Sequence, residues 1–113
     1  MTTAIQDITG ATITATPTVP EVWFAIAIFD VDITTAGVST FEGTIDFDAV
    51  VSGGAHFQLN TSVGRATVTI TYVKTGVTAA SHTIKMRGKK TAASSVQVVK
   101  STHSRITLLR LVA

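Results

Sequence analysis

The chain has 113 residues, a length that suits one domain with one ordinary core. It contains no cysteine, which excludes disulfide frameworks and thiolate metal sites. Charged residues are only 14% of it and the net charge is +2, so few charges keep its surface from associating with copies or partners.

The first segment, Met1 to Pro20, has no basic residue and no long apolar run, and so lacks the marks of a signal peptide. Pro17 and Pro20 interrupt any ladder, which predicts an extended N-terminal arm over 1–20 ahead of a single domain over 21–113. Ile13 and the threonines around it could still pair as an edge strand.

Val22 to Phe29 is apolar on both strand faces. Val22, Phe24, Ile26 and Ile28 share one face, and Trp23, Ala25, Ala27 and Phe29 the other. The run is too short to cross a bilayer as a helix, and a strand of this kind must be covered twice. In a two-layer sandwich the outer cover comes from an arm or from a neighbouring subunit.

Phe41 to Val51 is predicted to be one long strand. Phe41, Gly43, Ile45, Phe47, Ala49 and Val51 form its apolar face, and Glu42, Thr44, Asp46 and Asp48 a solvated acidic one. Arg65 to Val73 alternates in the same way, with Ala66, Val68, Ile70 and Tyr72 inward and three threonines outward. His82 to Arg87 repeats the pattern in short form, with Ile84 and Met86 opposed to Thr83, Lys85 and Arg87.

Arg87-Gly88-Lys89-Lys90 then reads as a compact basic turn, either simply solvated or offering Arg87, Lys89 and Lys90 to an acidic partner surface. Thr91 to Ser95 is a small-residue loop. The closing strand, Arg105 to Val112, sets Ile106, Leu108 and Val112 against Leu109 and Leu111, so it too is apolar on both faces. Ile106, Leu108, Leu109 and Leu111, with Trp23, are the candidate subunit contacts.

Ala36-Gly37, Ser52-Gly53-Gly54, Val63-Gly64, Thr75-Gly76 and Arg87-Gly88 offer turns between these strands. No window combines helical spacing with caps, and threonine is the most frequent residue. The reading is an all-β chain, an antiparallel β-sandwich.

No catalytic, metal or cofactor site is expected. The serines lack a nucleophile-elbow pattern, no glycine loop would cradle a phosphate, and His56, His82 and His103 are not spaced as a metal pair. Asp30 with Asp32, and Asp46 with Asp48, each project two carboxylates from one strand face, as calcium or acid–base sites do. The plainer reading makes them solvent-facing charges at strand ends.

All seven acids lie from Asp7 to Asp48, and all nine basic residues from Arg65 to Arg110. The basic residues are spread over several strands without interleaved aromatics, which argues against nucleic acid. Either an acidic edge of one copy meets a basic edge of the next, or acidic and basic strands interleave in one sandwich and cancel locally.

Ser81-His82-Thr83-Ile84-Lys85-Met86-Arg87, a small-residue loop, and Ser104-Arg105-Ile106-Thr107-Leu108-Leu109 together resemble the C-terminal strands of trimeric, tumour-necrosis-factor-like jelly rolls of tailed bacteriophages. Phe41 to Phe47 after Ile33-Thr34-Thr35 is similar too. The family often closes with an acidic residue where this chain has Arg110. The resemblance implies an eight-stranded jelly roll forming a homotrimer, with Arg105 to Val112 near its axis. It also implies a virion protein made in the host cytoplasm, with a major capsid or tail protein as partner and no membrane. The short chain favours capsid decoration, with the arm as anchor. The alternative is a receptor- or glycan-binding tip of a tail appendage, which needs exposed aromatic residues or a polar pocket at the loop end, and the chain has few aromatics beyond Trp23 and Tyr72.

Overall fold

Eight strand segments form in chain order: β1 (Gln6–Ala15), β2 (Glu21–Thr35), β3 (Thr40–Phe47), β4 (Val50–Gln58), β5 (Gly64–Val77), β6 (His82–Lys90), β7 (Val96–Val99) and β8 (Arg105–Val112). The computed structural model describes residues 3–35, 40–58, 64–90, 96–100 and 102–113, with main chain alone described at 33–35, 40, 54–58 and 96–98. β-Branched and aromatic residues fill these segments, and no helix forms among the described residues.

The segments make two antiparallel sheets, as a β-sandwich requires. One has the order β1-β6-β3-β4 and the other β5-β2-β7, with β8 also on β2. β7 pairs β2 from Val31 to Thr35 and β8 pairs it from Glu21 to Ile28, so the two lie end to end along one side of β2. Eight segments therefore occupy seven strand positions, not the eight expected from the sequence. The break falls opposite Asp30. Its carbonyl accepts the Lys100 N–H at 2.8 Å, and its own N–H donates to Ser104 Oγ at 2.9 Å, so a turn and a side chain stand in for the ladder.

The pairings nest: β3 with β4, β2 with β5 around them, and β1 with β6 outside those. The two sheets close on one core. Trp23, Ala25, Ala27, Phe29 and Val31 of β2 are fully buried, together with Phe41, Ile45, Ile84 and Met86 of the other sheet. Trp23 meets Phe47 edge-on at 5.7 Å and Phe29 meets Phe41 at 5.3 Å. Burying each such side chain contributes roughly 1.5–3 kcal/mol.

Three expectations change. Residues 6–15 are a strand and not part of an arm, because β1 pairs β6 from Gln6↔Gly88 to Ala15↔His82 across one bulge. The prolines follow this strand and mark its crossing to β2; they do not prevent pairing ahead of them. Phe41 to Val51 is not one strand either. Asp48 and Ala49 both have positive φ, 49° and 66°, and form a tight two-residue hairpin between β3 and β4. Alternation ran through this turn unmarked because Asp-Ala lacks the usual glycine.

Thirdly, Ser52-Gly53-Gly54, Thr75-Gly76 and Arg87-Gly88 lie inside β4, β5 and β6, and Gly88 sits opposite Gly43 of β3. The Arg87-Gly88-Lys89-Lys90 segment is therefore strand, not turn. Ala36-Gly37 and Thr91 to Ser95 fall outside the described residues.

Candidate interaction face

The outer face of the second sheet is built from three strands. β2 contributes Val22, Phe24, Ile26 and Ile28, all half-buried although they face away from the core. Phe24 stands between Val73 of β5 and Leu109 of β8, and Val22 beside Leu111. Val73, Leu109 and Leu111 are 52%, 54% and 50% exposed. Further along β5 the patch grades into exposed Thr67, Thr69 and Thr71. β1 belongs to the opposite sheet, so it does not cover this face. The face is thus a contiguous apolar surface on a chain with few charges.

The far end of the same face is polar. Arg65 reaches across from β5 to Asp30, with Nε 3.1 Å from Oδ1 and Nη2 on Oδ2. His103 Nδ1 lies 3.4 Å from Asp30 Oδ2, and Lys100 Nζ 3.6 Å from Asp32 Oδ2. The Arg65 hydrogen bonds hold the Asp30 carboxyl below its ordinary range, against a partial desolvation that works to raise it. The two carboxylates do share a face, as their spacing predicts, but each is matched by its own cation. Among the described residues no three His, Asp or Glu side chains gather as a metal site.

The same matching runs through the molecule. Asp7 meets Lys85 and Arg87, Asp46 meets Arg87, Glu42 meets Lys89, Glu21 meets Arg110, and Asp48 meets His82. All seven acids of the sequence are thus paired. The nested pairing is the cause, because it lays the acid-bearing early strands β1, β2 and β3 beside the base-bearing late strands β5, β6 and β8. Asp46 and Thr44, expected on a wet face, are buried; Thr44 Oγ1 donates to Asp46 Oδ1 at 2.8 Å, and Arg87 Nη1 donates to Oδ2 at 3.2 Å. Arg87 Nε sits 3.0 Å from Asp7 Oδ1 but off line for a hydrogen bond.

Of the residues expected to contact an acidic partner, Arg87 and Lys89 are therefore engaged inside the fold, and Lys90, opposite Phe41, is not free either. An exposed cation without an ion pair lies elsewhere. Arg105, exposed at the start of β8, has no ion-pair partner among the described residues.

The expected subunit contacts divide in two. Leu109 and Leu111 lie on the outer face. Trp23, Ile106 and Leu108 point inward and belong to the core or its margin, so they are corrected as contacts. Trp23 Nε1 donates to Glu21 Oε1 at 2.9 Å, and Arg110 donates to both oxygens of that carboxylate at 2.8 and 3.1 Å. The outward side chains of β2 are instead Val22, Phe24, Ile26 and Ile28. Alternation alone does not say which of two apolar faces is inside.

One further cluster has the look of a relay. Asp48 Oδ2 is 2.6 Å from His82 Nδ1, and His82 Nε2 is 3.0 Å from Thr78 Oγ1. The ring stacks on Phe47 at 5.2 Å and meets Trp23 edge-on. Nε2 also lies 3.1 Å from the Thr78 carbonyl oxygen, which only accepts. Through its two nitrogens the ring ties the Thr78 loop to the Asp48 hairpin. His82 and His103 do not meet: they sit at the Trp23 and Asp30 ends of β2.

Comparison with known proteins finds no matching family model, no similar curated protein and no similar solved structure.

Proposed function

We propose that this chain is a structural subunit of a bacteriophage particle, most simply a homotrimeric capsid decoration protein, whose copies meet through the outer face of β2, β5 and β8. The observation that carries this reading is the central strand of that face, apolar on both sides while only one side meets the core. With β1 in the opposite sheet, a neighbouring subunit is the remaining cover of the two expected from the sequence.

The nested pairing supports the finer plan. A long antiparallel hairpin, folded over so that β3–β4, β2–β5 and β1–β6 enclose one another, is how a jelly roll is wound. The resemblance of the 81–87 and 104–109 segments to trimeric phage jelly rolls adds the virion role. Trp23 is sealed in the core and Tyr72 lies over Gly53. The buried Trp23 presents no flat ring to a sugar, which favours the structural role over a glycan-binding tip.

Light scattering on the purified protein at low and high salt tests the assembly. A trimer that survives high salt is expected of an apolar seam. A monomer at both salts sinks the seam, and with it the virion reading.

A further inference from the structure

The two sheets end in strands that differ in how they finish. β1 carries a bulge between Asp7 and Thr12 with Gly10 at φ 75°, and β4 bulges between Val51 and Gly53, opposite Asp46 and Ile45 of β3. Such interruptions spoil an edge as a template for further pairing. β8 has none. It holds one unbroken register with β2 from Glu21↔Val112 to Ile28↔Arg105, contains no proline or lysine, and pairs no second strand among the described residues, although β1 of the other sheet passes nearby. Its outward N–H and C=O groups form a row that only another extended main chain satisfies in full.

Charge decides what kind of chain fits. Arg105 opens this edge without an ion-pair partner among the described residues. Every acidic side chain of a second copy is already paired within its own fold, so an unpaired acid on another polypeptide is the better match for Arg105. We infer that the free edge of β8 accepts an extended strand of a different polypeptide, one that pairs with Arg105–Val112 and carries an acidic residue for Arg105. On the proposed virion role that strand belongs to the particle's shell protein. The edge pairing itself does not depend on how many copies share the apolar face.

The test uses the full chain and three fluorescent octapeptides of alternating valine and threonine. One carries a single glutamate, one a lysine in its place, and one the glutamate with alternate amides N-methylated. Hydrogen exchange of β8 and light scattering are read on the same samples. The glutamate peptide is expected to bind and slow exchange of the outward β8 amides. The lysine peptide should bind about two- to fivefold more weakly, as one exposed ion pair allows. The N-methylated peptide should not bind, and R105E should reverse the preference between the two charged peptides. Equal binding by the N-methylated peptide, or β8 amides already protected in the protein alone, would overturn the inference. So would unchanged β8 exchange with the glutamate peptide. The scattering mass reports separately on the trimer, so either idea can fail without the other.

Discussion

Phe29 and Gly43 face each other across the sandwich so closely that a Cβ on Gly43 would lie 2.9 Å from two atoms of the Phe29 ring. Gly43→Ala should therefore destabilise the fold by about 1–3 kcal/mol, the usual range for overpacking a tight core. Thermal or urea unfolding reads the loss. Adding Phe29→Leu should recover part of it, because the two changes share one contact. Strict additivity would mean the ring is not what Gly43 accommodates.

The turn at Asp48-Ala49 predicts a change of opposite sign. Ala49 sits at φ 66°, where an L side chain is strained by roughly 1–2 kcal/mol. Glycine removes the strain but adds unfolded-state entropy, so Ala49→Gly should stabilise by a few tenths to about 1 kcal/mol. Asp48→Ala should do the reverse, since that carboxylate accepts the Thr83 N–H at 2.9 Å and engages His82. Urea midpoints of the two variants should fall on opposite sides of the parent.

Acid should weaken the fold in a defined direction. Arg110, then Trp23, holds Glu21 below its ordinary value, and Arg65 does the same for Asp30. For Asp48, desolvation pulls upward, but the His82 and Thr83 hydrogen bonds outweigh it and the net shift is again down. A carboxyl lowered in the fold contributes stability above its unfolded pKa, near 4, and loses it as pH falls through the folded value. Urea midpoints measured between pH 7 and pH 2.5 should therefore fall on the acid side. Glu21→Gln should start lower and fall less, and a parallel decline would remove Glu21 from this account.

Association and folding should separate by face. Leu109 is half exposed on the outer face, so Leu109→Asp should leave the monomer folded while lowering the mass seen by light scattering. Trp23→Phe lies wholly inside and loses the Glu21 hydrogen bond, so it should cost about 1–3 kcal/mol of stability and leave the mass unchanged. Dissociation by the Trp23 variant alone would place the seam elsewhere.

The sheet class was legible in the sequence because alternation is a local signal. Val68 and Ile70 are buried and Thr67, Thr69 and Thr71 exposed, as their order predicts. What alternation does not carry is partnership. Asp46 belongs to an acidic row by sequence, but its burial depends on Arg87, which lies 41 residues away. The inside face of β2 was hidden for the same reason, since both its faces are apolar and only the opposite sheet chooses between them. The hairpin at Asp48-Ala49 escaped because its positive φ values are held by contacts to β6 and not by glycine.

The nested pairing sets an order in time. A two-residue connection lets β3 and β4 zip first, each pair then brings the ends of the next together, and the loop left to close stays short. β8 pairs β2 across a long separation in the chain, and such distant pairing is expected to be slow and late. The strand that completes the apolar face is thus among the last to dock, and while it waits β2 is open along that side. Conditions that delay this step should favour aggregation over assembly, and refolding at lower protein concentration should raise the yield of soluble product.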